Sequence, residues 1–388
     1  MEQKKIAVIF GTRPDTIKQA PIILELQKHP EFKVLTIATA QHRQMLDQVL
    51  DVFKIKPDYD LDIMAPRQTL ASLTAKIITG LDEILEKEKP DMVLVQGDTS
   101  TTCIGSLAAF YRQIPVGHVE AGLRTNDKAN PFPEEINRRI TGVITDLHFA
   151  PTETSKQSLL KENVDPKTIF VTGNTVVDAL QYSVIENYSF TVPILNTIAA
   201  KKNNIVLVTM HRRENWGKPM EGASKAIKRL AEKYPDFSFV FPVHLNPIVR
   251  ETVYPILQNM PNVHLIEPLD YLDFVNIMAK SFLILTDSGG VQEEGPHFGI
   301  PILVLRYVTE RPDAVDYGTV KLVGLDEQTI YDTALKLIED KEEYKKMAMA
   351  VNPYGDGLSS VRTAKIIKNY FGLSNEKVDE FIPKSKTK

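Results

Sequence analysis

The sequence predicts two doubly wound α/β domains facing a central cleft. Three observations carry that expectation. At 388 residues the chain is too long for one ordinary core. Short apolar runs, each too short for a helix alone, alternate with helical periodicity through both halves. These runs end again and again in Gly, Ser, Asp, Glu, Arg or His, the residue types that line a ligand crevice at the carboxyl ends of parallel strands.

In the first half, the run from Ile6 to Phe10 reads as a strand and Gly11-Thr12-Arg13 as a turn. Pro14 suits a first helical position, and Ile17, Ala20, Ile23, Leu24 and Gln27 keep helical spacing. Glycine, a helix start and Arg13, with Lys18 one turn in, form a candidate anion site, although two surface cations would read the same way. A second strand is expected from Val34, a second helix from Gln41, and a long amphipathic helix from Thr69. The run from Asp91 to Gln96 is a strand that delivers Asp98 to its carboxyl end, where Asp98 either caps the next helix or faces a ligand. The run from Pro115 to Val119 is another strand, followed at once by Glu120. A carboxylate in that place needs a partner, and Arg124 is the expected one. Pro131-Phe-Pro-Glu134-Glu135 opens a helix that also carries Arg138. Glu134 is thus a third acid, though Glu also favours a helix's first turn for electrostatic reasons alone. Strands near 146–151 and 168–172 and a helix over 175–186 complete this half.

The second half repeats the pattern. A strand from Ile205 ends at His211, Arg212 and Arg213, a grouping suited to an anion or a leaving group. Further strands are expected from Phe237, ahead of His244, and from Val263, ahead of a segment from Pro268 through Leu269 to Phe274 that leads into a helix. The run from Phe282 to Thr286 reads as a buried parallel strand. Asp287-Ser288-Gly289-Gly290 breaks it, and Val291 begins a helix with Ser288 as its cap and Glu294 within it. That turn is a ready phosphate site, or simply a capped αβ turn. A strand from Ile302 precedes Thr309-Glu310-Arg311, and 326–349 read as two helices. The expected domains are Rossmann-like, at 1–186 and 205–358, with a linker at 187–204. A terminal helix at 359–372 is expected to pack back on the first domain, and the Lys- and Glu-rich tail at 373–388 to be disordered.

Composition narrows the function. An apolar fraction of 43% and a charged fraction of 25% describe a soluble globular protein. A net charge of -4 argues against nucleic acid as a partner. One cysteine, Cys103, allows neither a disulfide framework nor a cysteine metal cluster and fits the cytoplasm. No apolar stretch is long enough for membrane insertion. No Gly-x-Gly-x-x-Gly follows the first strand, so a bound nicotinamide cofactor is not expected, and there is no Walker loop and no His-Glu-x-x-His.

Taken together, Phe10-Gly-Thr-Arg-Pro14 with Lys18, Ala40-Gln-His-Arg43, Gly97-Asp-Thr99, His118-Val-Glu-Ala-Gly-Leu-Arg124, Pro133-Glu-Glu135, His211-Arg-Arg-Glu-Asn215, Pro242-Val-His-Leu-Asn-Pro247, Thr286-Asp-Ser-Gly-Gly290 and Asn352-Pro-Tyr-Gly-Asp-Gly357 occur in one order. Each is weak alone. As a set they resemble the bacterial non-hydrolysing UDP-N-acetylglucosamine 2-epimerases over nearly the whole chain. The resemblance implies a fold like the two-domain GT-B glycosyltransferases and a reversible conversion of UDP-GlcNAc to UDP-ManNAc that requires no metal and no cofactor. It implies Asp98, Glu120 and Glu134 as the acid/base set. His211 would lie near the diphosphate with Arg13, Ser288, Gly289 and Gly290, and Lys18, Arg138 and Arg311 would also serve the UDP-sugar. Glu294 would hold the ribose, with Phe274 and the main chain of Leu269 beside the uracil. Gln41, Gln44, Arg67, Glu134, Arg212 and His244 match a second, activating UDP-GlcNAc site. A homodimer feeding a wall or capsule polymer is also implied. Asp15-Thr16, Gln19, Gly295-Pro-His-Phe298 and Tyr307-Val308 depart from the family's usual residues. The rival readings are a hydrolysing epimerase that releases ManNAc and UDP, and a GT-B glycosyltransferase that uses the same nucleotide pocket.

Overall fold

The computed structural model describes residues 3–39, 43–65, 68–200 and 204–384, with the backbone alone at 43–45. The chain divides into two compact units, Met1–Tyr182 with Tyr354–Ile382, and Ser183–Pro353 with Pro383–Lys388.

Unit 1 runs β1 (Lys4–Phe10), α1 (Arg13–Gln27), β2 (Phe32–Ala38), α2 (Arg43–Phe53), β3 (Tyr59–Asp60), α3 (Leu70–Glu88), β4 (Met92–Gln96), α4 (Ser100–Tyr111), β5 (Val116–Val119), α5 (Glu134–Ile144), β6 (Leu147–Ala150), α6 (Glu153–Lys161), β7 (Ile169–Val171) and α7 (Thr175–Ser183). All its strands pair in parallel, in the order β3-β2-β1-β4-β5-β6-β7. The order reverses between β1 and β4, and such a switch point opens a crevice at the strands' carboxyl ends. β1 and β4 are apolar because helices cover both sheet faces, and from Ile6 to Phe10 every residue is buried.

Unit 2 runs α8 (Pro193–Ala200), β8 (Ile205–Thr209), α9 (Lys218–Lys233), β9 (Ser238–Pro242), α10 (Pro247–Leu257), β10 (Val263–Ile266), α11 (Tyr271–Ala279), β11 (Leu283–Thr286), α12 (Gly289–Glu294), β12 (Ile302–Val304), α13 (Pro312–Asp316), β13 (Val320–Leu322), α14 (Glu327–Glu339) and α15 (Lys341–Ala348). Its parallel sheet has the order β10-β9-β8-β11-β12-β13, the same winding scheme with its switch point between β8 and β11.

After unit 2 the chain returns to unit 1 as α16 (Ser359–Tyr370), which packs on α1. Its first amides are taken by Asp178 of α7, whose carboxylate accepts from Ser360 N at 2.7 Å and Ser359 N at 3.2 Å. Two segments differ from expectation. The stretch at 187–204 contains α8, which buries Leu195 and Ile198, and Asp273 of α11 accepts the Thr191 and Val192 amides just ahead of it. Among its described residues the tail forms no helix or strand, yet Phe381 is buried and donates its N–H to Val171 O at 2.8 Å. Glu380 beside it takes the Val171 amide and pairs with Lys156. Charge composition marked the tail as unstructured, but one aromatic anchor suffices to hold it.

Candidate active site

In unit 1 the carboxyl ends of β1, β4 and β5 carry the charged residues. Gly97, with φ of 72°, turns the chain out of β4 and sets Asp98 beyond the sheet. His118 of β5 pins that turn by donating Nε2–H to Gly97 O at 2.7 Å. Burial lowers the His118 pKa to about 3, so the ring stays neutral. Arg138 of α5 grips one oxygen of Asp98, with Nε at 2.9 Å and Nη2 at 2.7 Å from Oδ2. Asn137 donates to the Asp98 main-chain oxygen at 2.9 Å. Asp98 Oδ1 has no hydrogen bond to any described residue.

Glu120 follows β5 directly with φ of 64°. A non-glycine residue in this left-handed region costs about 1–2 kcal/mol and persists only where its surroundings hold it. Here Lys18 of α1 and Asn174 Nδ2, the latter at 3.2 Å, bind Oε1, while Gln96 Nε2 binds Oε2 at 2.5 Å. Arg124, the expected partner, is engaged elsewhere: its Nε and Nη2 form a two-pronged pair with Glu162 of α6 at 2.9 and 2.8 Å. The positive φ turns Glu120 toward Lys18 and away from its sequence neighbour. Glu134 opens α5 one turn ahead of Arg138, so it shares the helix face that meets Asp98. Arg13 opens α1 at the switch point and makes no ion pair with any described residue.

In unit 2, β8 and β11 lie side by side with Thr209 opposite Thr286. Asp287, fully buried just past β11, reaches across to the end of β8. Its carboxylate accepts from His211 N at 3.0 Å, Arg212 N at 3.0 Å and Asn215 Nδ2 at 2.8 Å, and lies 3.1 Å from His211 Nδ1. Burial pushes the Asp287 carboxyl up, but the His211 ring and the amides outweigh it and hold the group below its ordinary value. A carboxylate on Nδ1 leaves His211 Nε2 as its working nitrogen. The His244 ring stacks at 6.3 Å from that of His211, and burial first, then the His211 charge, lower the His244 pKa.

α12 is shorter than a usual helix because Gly295-Pro296 converts it to a 3-10 turn. Arg311 lies over its start: a Cβ on Gly289 would sit 3.0 Å from Arg311 Cζ, so the glycine makes room for the guanidinium. Glu293, at 2.9 Å from Nε, and Glu310, at 2.8 Å from Nη1, hold Arg311 there. Ser288 precedes the helix in extended conformation, Gly290 is exposed, and Glu294 ends the helix, largely buried. Leu269 and Phe274 flank the start of α11, whose first turn is capped by Asp270.

For the activating site, Gln41 and Arg67 lie outside the described residues, as does the side chain of Gln44. Arg212 follows His211, and its Nε is buried with no hydrogen bond to a described residue. Among the departures, Asp15 is buried and accepts the Thr12 and Gly11 amides at 2.7 and 3.2 Å, fixing the turn that carries Arg13. A Cβ on Gly295 would meet the tip of the Ile302 side chain, Cδ1 at 2.5 Å, which would have to shift. Tyr307 and Val308 are exposed, with the Tyr307 ring laid over Gly324.

Sequence reading missed Gln96, Asn174, Asp287, Glu135 and Glu293 as partners of the site residues. Asp287 and Glu135 stand inside quoted motifs, but nothing in a motif says which member turns inward. Among the described residues, no group of three or more His, Cys, Asp or Glu is placed to hold a metal ion, and no helix is long and apolar enough to cross a membrane.

The profile of the UDP-N-acetylglucosamine 2-epimerase family matches residues 24–368. The UDP-N-acetylglucosamine 2-epimerase of Bacillus subtilis (strain 168) is 55% identical over 384 residues, which is 99% of this chain and all of that protein. The crystal structure of the UDP-GlcNAc 2-epimerase from Neisseria meningitidis, bound to UDP-GlcNAc, superimposes with a TM-score of 0.85 at 51% identity, covering 95% of this chain and 100% of that one. At the level of the fold alone, the glycotransferase of kitacinnamycin is similar, with a TM-score of 0.61 at 12% identity over 95% of this chain and 99% of that one. A match this long and this close leaves no part of either sheet unaccounted for, and the chain belongs to the UDP-N-acetylglucosamine 2-epimerase family.

Proposed function

We propose that this protein interconverts UDP-N-acetylglucosamine and UDP-N-acetylmannosamine by eliminating and re-adding UDP. What supports this reading is that Asp98 follows β4, Glu120 follows the neighbouring β5 and Glu134 opens α5, each beside a cation or on the same helix face as one. Three such acids favour proton chemistry at the sugar over simple transfer to an acceptor.

The hydrogen at sugar C2 is not acidic, so the leaving group must depart as the proton does. A carboxylate takes the C2 proton, the C–H electrons become a C1=C2 double bond, and the C1–O bond breaks with its electron pair going to UDP. The 2-acetamidoglucal then receives a proton at C2 on the opposite face while a UDP oxygen rejoins C1. One centre is inverted and nothing is oxidised. Proton transfer by placed carboxylates contributes about 10²–10⁴-fold, and the three acids fill that role. Lys18 and Arg138 orient them. The departing diphosphate needs fixed positive groups, supplied by Arg13, His211, Arg311 and the amides of Ser288, Gly289 and Gly290. Glu294 takes the ribose hydroxyls, and Leu269 and Phe274 the uracil. Arg212, His244 and Glu134, with Gln41, Gln44 and Arg67, receive an activating UDP-GlcNAc. With UDP-ManNAc alone the progress curve then lags, and full initial velocity without UDP-GlcNAc counts against activation. The chain works in the cytoplasm as a homodimer, a state supported by the apolar face that α4 and α5 leave exposed at Phe110, Tyr111, Ile136, Ile140 and Val143.

Proton NMR with UDP-GlcNAc in D₂O and no acceptor tests the main reading. Deuterium at C2 together with a UDP-ManNAc signal is expected. Free ManNAc and UDP would establish the hydrolysing alternative, and an unchanged spectrum would favour the transferase.

A further inference from the structure

We propose that Glu135, which neither touches solvent nor belongs to the acid set, is the positioning residue that aims that set. The inference rests on the epimerase reading above. Glu135 lies in the first turn of α5 and is 0% exposed, so it cannot reach a sugar itself. Its carboxylate works in two directions. Toward the site, it accepts from Arg138 Nη1 at 3.2 Å, while the other side of the same guanidinium binds Asp98. A guanidinium is a rigid planar fork, so fixing one edge fixes the direction of the other. Away from the site, Glu135 accepts the backbone amides of Thr125 at 3.0 Å and Asn126 at 3.1 Å. Those residues begin the loop that ends at Glu134. One buried carboxylate therefore sets both the fork that holds Asp98 and the start of the segment that delivers Glu134.

The rest of the arrangement is built to keep Glu135 charged. Burial raises its carboxyl, but the two amides and Arg138 outweigh burial and hold it below its ordinary value. Arg139 lies 3.3 Å from its second oxygen and 3.4 Å from Glu162, which Arg124 binds in turn. Arg124, Glu162, Arg139, Glu135, Arg138 and Asp98 thus form one line of alternating charge that ends at the candidate acid. Such a line holds each member in one geometry, and its effects are transmitted as a unit.

The test is Glu135→Gln in the full-length protein beside wild type, with steady-state kinetics on UDP-GlcNAc, calorimetric binding of UDP, and a thermal melt. Glutamine keeps the size and one acceptor but loses the charge that fixes the fork. A fall in kcat of tenfold or more is expected, with KM and UDP affinity within about threefold of wild type. A merely structural role would weaken UDP binding and kcat together, and that outcome overturns the proposal, as does a folded variant whose kcat stays within twofold. Should Glu135→Gln not fold, Arg138→Lys keeps the buried charge but removes the fork. It is expected to show the same loss of kcat, and a kcat within twofold would again overturn the idea. A wild type that binds UDP but leaves UDP-GlcNAc unchanged would instead sink the epimerase reading, and this proposal with it.

Discussion

At Glu120 the backbone is held left-handed while three side chains converge on one carboxylate that keeps only 8% of its surface exposed. Strain of this kind is retained where surrounding contacts over-determine it. Glu120→Gln should lower kcat by about 10²–10⁴-fold, the usual worth of a placed acid or base. It should also lower the urea midpoint, because Lys18 loses the Glu120 charge in a nearly closed site. Wild-type turnover in this variant would remove Glu120 from the reaction. His118 makes a prediction about pH. Its ordinary value of 6.5 falls to about 3 in the fold, chiefly through burial. Its contribution is fully present above 6.5 and is lost as pH drops toward 3, because only the unfolded chain takes up the proton in that window. From pH 7.5 to 5 this amounts to about 2 kcal/mol. Asp15 acts oppositely. Burial raises its carboxyl from 3.8 to about 6, so the folded chain binds the proton first and gains stability as pH falls between those values. Urea unfolding of His118→Gln, which keeps a donor for Gly97 O, should recover about 2 kcal/mol of the wild-type loss between pH 7.5 and 5. An unchanged pH dependence would show that His118 titrates normally.

Helix α16 depends on a residue it does not own. No side chain of its own caps it, and Asp178 of α7 takes its first amides and the Ser360 hydroxyl at 2.6 Å. Asp178→Ala leaves those buried donors unpaired and should destabilise unit 1 by about 2–3 kcal/mol in chemical denaturation. A loss under 0.5 kcal/mol would mean that solvent replaces the carboxylate. The central strands and their charged turns were legible in the sequence, since a short apolar run broken by Gly-Asp or Ser-Gly-Gly has few other readings. The edge strands β3 and β13 were not, because two or three residues carry no period. α8 was hidden for a related reason: at eight residues it offers barely two turns of spacing. The acids, His211 and the glycine turn could be named from position alone. Their partners could not. Arg124 with Glu162, and Asp287 with His211, are pairings made by folding across 38 and 76 positions, and local pattern says nothing about them.

At the scale of the whole molecule, unit 1 exposes a row of large apolar side chains on α4 and α5, with Val143 at 89% exposure. α5 buries Arg138 and Thr141 on one side and shows Ile136, Ile140 and Val143 on the other. A pairing surface on that outer side would brace the helix that holds Asp98. If the chain pairs through this surface, Val143→Glu should leave it monomeric in light scattering, with turnover reduced while UDP binding persists. A wild-type chain that is monomeric at micromolar concentration would remove this surface from consideration. The route of the chain has a further consequence. Unit 2 is spliced into unit 1, which is left after Tyr182 and re-entered at Tyr354. On the ribosome the second unit can therefore mature as an inserted domain while the first waits, its sheet complete but α16 not yet set against α1 and α7. The earliest-made half is the last to be finished, and a message that stopped in the early 350s would yield one sound unit tethered to one that cannot close.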